Sequence, residues 1–188
     1  MQKQFVQALN SIDPSWTLFL DRDGVINIRL MDDYVKTVED FEFIPGSDKA
    51  IAIFAKRFQR IFVVTNQQGI GKGLMSVDDL EQIHKKMVYQ IQECGGRLDK
   101  IYFCPDLKEK KSSCRKPDVG MALQAKKDFP GLSFKKSLMV GDTLNDMLFG
   151  KRLGMTTVLI QPEDTLSKAN HHVVDYRFES LIHLAKSM

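Results

Sequence analysis

Short apolar runs alternate with amphipathic segments along nearly the whole chain, and this alternation constrains the fold more than any single motif does. The runs Trp16 to Leu20, Ile61 to Thr65, Lys100 to Phe103, Ser137 to Val140 and Thr156 to Ile160 read as buried strands, with a weaker one at His172 to Val174. Periodicity predicts helices over Ser47 to Phe58, Val77 to Glu93, Met121 to Phe129, Thr143 to Leu153 and Phe178 to Lys186, and Ser76 with Asp79 forms an S-x-x-D helix start. Apolar strands separated by helices imply an α/β fold: a three-layer, doubly wound, mostly parallel sheet covered on both faces. In such a sheet ligands bind outside the carboxyl ends of the strands, so the residues following Leu20, Val64, Phe103 and Val140 should line one crevice.

A chain of 188 residues is long enough for one well-buried core, and residues 1–188 read as a single domain. The irregular segments Asn27 to Pro45 and Pro105 to Pro117 are too short for a second domain or a large cap. The 27 Lys and Arg nearly balance the 24 Asp and Glu and are spread along the chain. No concentrated basic stripe results, so nucleic acid is not expected as a partner. No apolar stretch reaches the length of a membrane span, and Met1 to Ser11 lack the apolar region of a secretory signal. The expectation is a cytoplasmic protein, a monomer or weak homo-oligomer. Cys94, Cys104 and Cys114 read as reduced thiols or metal ligands, because a chain of this size needs no disulfide staple.

The chemistry-bearing residues fall at the predicted strand ends. Asp21-Arg22-Asp23-Gly24-Val25 closes the first strand, and carboxylates at i and i+2 of an extended chain point to the same side. One can attack phosphorus while the other handles a proton. Thr65, Asn66 and Gln67 end the second strand with hydroxyl and amide donors suited to phosphate oxygens. The Gly-rich stretch after them is not a nucleotide-binding loop, since Asn66 and Gly73 stand where that motif requires Gly and Ser or Thr. Arg115 and Lys116 offer fixed positive charge to a dianionic substrate. Asp142 and Asp146 open a helix with the sparse carboxylates that suit Mg²⁺. Each motif alone has an ordinary explanation, as a turn, a cap or a surface pair. Four strand ends on one sheet edge with complementary roles are not explained that way.

Together these motifs resemble those of the haloacid dehalogenase superfamily: D-x-D-G-V at Asp21, T-N at Thr65, a basic Lys116 and G-D-x-x-x-D at Gly141. The resemblance implies Asp21 as nucleophile, Asp23 as acid/base, Thr65 and Asn66 as phosphate holders and Lys116 as charge neutraliser. It further implies Mg²⁺ held by Asp21, the Asp23 backbone carbonyl and Asp142, with Asp146 in support. Tyr34-Val35 through Phe41 to Gly46, Thr65 to Ile70 and Cys114 to Pro117 look like the small, nearly capless heptose bisphosphate and histidinol-phosphate phosphatase branch, where Arg115 would touch substrate. That branch often carries a zinc loop of the form C-x-H then C-x-C, whereas this chain has Cys104-Pro105-Asp106 and Ser112-Ser113-Cys114. Structural zinc wants four closed ligands, so Zn²⁺ is not expected and Cys104 and Cys114 read as ordinary thiols.

The implied activity is hydrolysis of a small phosphorylated metabolite, foremost the 7-phosphate of D-glycero-D-manno-heptose 1,7-bisphosphate. Histidinol phosphate is the alternative, followed by a polynucleotide 3′-phosphate and by a catalytically silent phospho-ligand binding protein.

Overall fold

The computed structural model describes residues 12–161 and 167–188; Met1 to Ser11, read above for a targeting signal, lie outside them. The strands are β1 (Thr17–Leu20), β2 (Arg60–Asn66), β3 (Lys100–Cys104), β4 (Ser137–Gly141), β5 (Thr156–Ile160) and β6 (Tyr176–Phe178). The helices are α1 (Ser47–Ala55), the single turn α2 (Gln68–Gly71), α3 (Val77–Glu93), α4 (Gly120–Asp128), α5 (Leu144–Arg152) and α6 (Leu181–Lys186). All strand pairings are parallel, in the order β3-β2-β1-β4-β5-β6.

Side chains of β1 alternate between two cores. Leu18 and Leu20 pack with Ile51, Phe54, Leu80, Ile83, Met87 and Leu184, while Phe19 packs with Phe62, Met121, Ala125 and Phe149 on the other face. Helices α1, α3 and α6 therefore cover one face and α4 and α5 the other, which is why every residue of β1 is buried and the strand sequence shows no polar alternation. Helix α3 starts at Ser76 with the predicted capping box, the Ser76 hydroxyl accepting from the Asp79 N–H while the Asp79 carboxylate accepts from the Ser76 N–H. No helix among the described residues is long and apolar enough to cross a membrane.

The last strand is displaced from its predicted place. Lys168–Val173 forms 3₁₀ turns, β6 begins at Tyr176, and α6 spans Leu181–Lys186 rather than starting at Phe178. Val173 is buried against Met147 and Leu159, and its carbonyl accepts from the Thr157 hydroxyl at 2.8 Å. The apolar pair Val173-Val174 thus marks packing onto β5 rather than strand pairing.

β1 lies between β2 and β4, with Leu20 in register with Val63 and Val140. Chain connections leave this point in opposite directions, opening the crevice that strand order dictates in a doubly wound sheet.

Candidate active site

Asp21 leaves β1 while still tied to the sheet, its N–H donating to the Val140 carbonyl at 2.9 Å. Its Oδ1 accepts from the Arg22 N–H at 2.7 Å and lies 2.9 Å from Lys116 Nζ. Two residues on, Asp23 Oδ1 accepts from Arg22 Nη2 (2.8 Å) and Asn27 Nδ2 (3.0 Å), and Oδ2 from Gln67 Nε2 (2.9 Å). Arg22 is fully buried, and its Nη1 lies 3.4 Å from Nε2 of His84 on α3. Asp21 and Asp23 line one cavity of ≈ 260 Å³, shared with Arg29, Tyr34, Thr65, Arg115 and Lys116.

The end of β2 contributes in two ways. Thr65 is buried, with its hydroxyl accepting from Gln67 Nε2 at 2.8 Å, so Gln67 bridges Thr65 and Asp23. The Asn66 amide faces a different group from the one its motif suggests. Its Oδ1 accepts from the Lys116 N–H at 3.0 Å and its Nδ2 donates to the Lys116 carbonyl at 3.2 Å. Both ends of this side chain hold the Lys116 backbone against β2.

Lys116 is buried between two acids, 2.9 Å from Asp21 and 2.6 Å from Asp146. Asp146 in turn closes a capping box with Thr143 at the start of α5, so the cap motif and the lysine partner are one residue. Gly141 permits this packing: a Cβ there would meet Asp146 Cβ at 2.2 Å. Gly24 does the same across the crevice, with φ 88° and a hypothetical Cβ 2.1 Å from Asp142 Oδ2.

Burial and crowding set the charges. Burial raises the Asp21 carboxyl to about 6 against the pull of Lys116, and burial with repulsion from Asp21 raises Asp142 to about 8. Asp23 moves the other way: burial opposes its charge, but Arg22 and the hydrogen bonds from Arg22, Asn27 and Gln67 hold it below the usual carboxylate range. Lys116 is held above its ordinary value, since Asp146 and Asp21 outweigh the penalty of burial.

Asp21, Asp142 and Asp146 place carboxylate oxygens within 4.8 Å of one another. Lys116 and Thr143 already engage both Asp146 oxygens, which leaves Asp21, Asp142 and the nearby Asp23 carbonyl as a hard, all-oxygen donor set. Such a set fits Mg²⁺, which keeps several non-protein oxygens around it. The guanidinium of Arg29 reaches the same group, donating to the Asp23 carbonyl and to Asp142 Oδ1, both at 2.9 Å.

Arg22, Asn27, Arg29 and His84 were not singled out from the sequence. Asn27, four residues after Asp23, was within reach of a spacing argument. Arg29 sits in an irregular loop and His84 on a distant helix, and neither carries a local signal. The cysteines depart from expectation: Cys104 and Cys114, read as thiols, are joined in a disulfide with Cα atoms 5.4 Å apart. Arg115 Nη1 donates to the Asp106 carbonyl at 3.2 Å and so spans the loop after β3 beside this bond, while the Gly120 N–H closes the turn after Cys114 by donating to the Ser113 carbonyl at 2.8 Å. Cys94 is free and exposed.

Comparison with known proteins agrees with this geometry. A HAD-hydrolase-like family model matches residues 113–182. The chain is 35% identical over 166 residues to the D-glycero-alpha-D-manno-heptose-1,7-bisphosphate 7-phosphatase of Mycobacterium bovis, covering 88% of this chain and 87% of that one. It is 36% identical over 176 residues to the D-glycero-beta-D-manno-heptose-1,7-bisphosphate 7-phosphatase of Pasteurella multocida, covering 90% and 94%. The crystal structure of D,D-heptose 1,7-bisphosphate phosphatase from B. bronchiseptica, complexed with magnesium and phosphate, superposes with a TM-score of 0.80 at 28% identity over 91% of this chain and 96% of that one. With its parallel sheet, its acids at the ends of β1 and β4 and relatives matched over nearly their full length, the chain belongs to the haloacid dehalogenase superfamily of phosphatases.

Proposed function

We propose that this phosphatase removes the 7-phosphate of a D-glycero-D-manno-heptose 1,7-bisphosphate through a phospho-aspartyl enzyme on Asp21, with Mg²⁺ as cofactor. The observation that carries the reading is the convergence of Asp21 and Asp23 on the same cavity as Thr65, Arg115 and Lys116. It is supported by the activities named for relatives in both anomeric series.

In this reading the Asp21 carboxylate attacks phosphorus as the bond to the sugar oxygen breaks, and Asp23 hands its proton to the leaving alkoxide. The same carboxylate then takes a proton from the water that cleaves the acyl phosphate, which restores Asp21. Asp23 starts ionised under the hold of Arg22, Asn27 and Gln67. A dianionic phosphate entering beside it raises its proton affinity, and Asp23 takes up from solvent the proton that it then hands to the leaving alkoxide. Lys116 offsets the negative charge of the transferring group and fixes the Asp21 carboxylate. Thr65 presents a hydroxyl to phosphate, Gln67 orients both Thr65 and Asp23, and Asn66 acts by holding the Lys116 backbone. Arg115, partly exposed at the cavity wall, meets the part of the substrate that does not react. Asp21, Asp142 and the Asp23 carbonyl would hold Mg²⁺, with Asp146 in support. Held there, the ion would lower the repulsion between the Asp21 carboxylate and the phosphate.

One domain, as a monomer or weak homo-oligomer, is part of the same reading, and the lining residues Asp21, Thr65 and Lys116 gather at the carboxyl ends of one sheet. A structural Zn²⁺ is not part of the proposal: Cys104 and Cys114 are joined to each other, and even as thiolates they would supply, with Asp106, three groups where a closed site needs four. A cytoplasmic location is part of it, since a sugar bisphosphate carries too much charge to cross a bilayer unaided.

Phosphate release should be measured from both heptose bisphosphate anomers, histidinol phosphate, other sugar phosphates and a 3′-phosphorylated oligonucleotide, with Mg²⁺ and with EDTA. The expected result is an EDTA-sensitive preference in kcat/KM for one heptose bisphosphate. A preference for histidinol phosphate or the oligonucleotide, or equal turnover in EDTA, would overturn the assignment.

A further inference from the structure

Arg29 holds the oxygens that the proposed reaction assigns to its cation. Its Nη2 donates to the Asp23 carbonyl at 2.9 Å and to Asp142 Oδ1 at 2.9 Å, and lies 3.9 Å from Asp21 Oδ2. No other described cation touches all three groups: Arg22 is spent on Asp23 and His84, and Lys116 on Asp21 and Asp146. The backbone beneath Arg29 is anchored, since the Ile28 N–H donates to the Glu42 carbonyl at 2.9 Å and Asn27 bridges to Phe43. The side chain itself is 39% exposed, so it can turn away without disturbing the loop.

Mg²⁺ binds oxygen at roughly 2.0–2.1 Å, which would set the ion almost on top of a nitrogen bonded to the same oxygens. The two cations exclude each other by distance and by charge. We propose that Arg29 and Mg²⁺ compete for this oxygen set, and that the guanidinium, once displaced, turns along the cavity wall to grip the phosphate being transferred. A planar fork of donors suits that second task, because it can meet two phosphate oxygens at once. Arg29 would thus be a positioning cation that also sets how much Mg²⁺ the enzyme needs. The inference rests on the Mg²⁺ reading given above.

The test is calorimetric titration of Mg²⁺ into metal-free wild type, Arg29→Gln and Arg29→Lys, followed by titration of inorganic phosphate into the Mg²⁺-loaded proteins. Removing the competitor should tighten Mg²⁺ at least about fivefold in Arg29→Gln, the low end of coupling between sites. Arg29→Lys should fall between it and wild type, and inorganic phosphate should bind Arg29→Gln more weakly than wild type. Thermal melts of the metal-free proteins confirm that each variant is folded. Measurable but equal Mg²⁺ affinity in wild type and Arg29→Gln overturns the competition and leaves the Mg²⁺ reading intact. Unchanged phosphate affinity overturns the second step. Absence of Mg²⁺ binding by all three proteins overturns the Mg²⁺ reading and this inference with it.

Discussion

Lys116 Nζ lies 2.9 Å from Asp21 Oδ1 while bonding Asp146 at 2.6 Å, so one buried ammonium joins the end of β1 to the start of α5. Lys116→Met keeps the length of the side chain and removes the charge, leaving two buried acids without their partner. Loss of one member of a buried ion pair costs about 3–5 kcal/mol, and loss of a transition-state cation costs about 10²-fold or more in kcat. Urea denaturation and steady-state kinetics should show both. A variant that keeps wild-type kcat would remove Lys116 from the chemistry.

Asp23→Asn tests the division of labour between the two acids. The amide is nearly isosteric, but the fully buried Arg22 loses its carboxylate partner. Stability should therefore fall by about 3–5 kcal/mol, and turnover is read on protein that a thermal melt shows to be folded. Turnover should fall by about 10² to 10⁴, the usual range for a lost proton donor. A change in KM alone, with kcat preserved, would contradict the acid/base role.

His84 predicts an acid sensitivity. It is buried beside Arg22 and Phe103, and burial, reinforced by the Arg22 charge, depresses its pKa to about 3. The unfolded chain takes up that proton near about 6.5. The native state therefore favours the neutral ring, and stability is lost as pH falls from about 6.5 toward 3. The loss is at most about 1.4 kcal/mol per pH unit. Replacement by Gln removes this titration. Melting temperatures of wild type and His84→Gln should diverge in the variant's favour as pH drops from about 7 to 5, and parallel curves would contradict a buried neutral imidazole.

The disulfide makes a counting prediction. Alkylation under denaturing conditions, read by mass spectrometry, should label Cys94 alone in unreduced protein, and all three cysteines after reduction. Three labels without reductant would mean that the Cys104–Cys114 pair is not closed in the protein as purified.

Much of this architecture is legible locally. Strands β1 to β5 announce themselves as apolar runs because both of their faces are covered, and Ser76 with Asp79 marks the start of α3 because a cap is a contact between residues three apart. Tyr176–Phe178 was not legible, because a short edge strand of half-buried residues has no strong pattern of its own, and the neighbouring apolar pair, Val173-Val174, serves packing.

Local pattern is enough to put acids, hydroxyl and amide groups and cations at the carboxyl ends of parallel strands, since hydrophobic periodicity sets where strands stop and a parallel sheet aligns those ends. Tertiary structure alone decided how they engage. It paired Lys116 with Asp146, turned the Asn66 amide onto the Lys116 backbone, put His84 behind Arg22 and brought Arg29 to the Asp23 carbonyl. These contacts join residues from separate elements through the direction a side chain takes once its backbone is in place. Periodicity reports which face of a strand or helix is buried and carries no information on which polar group meets which across the crevice.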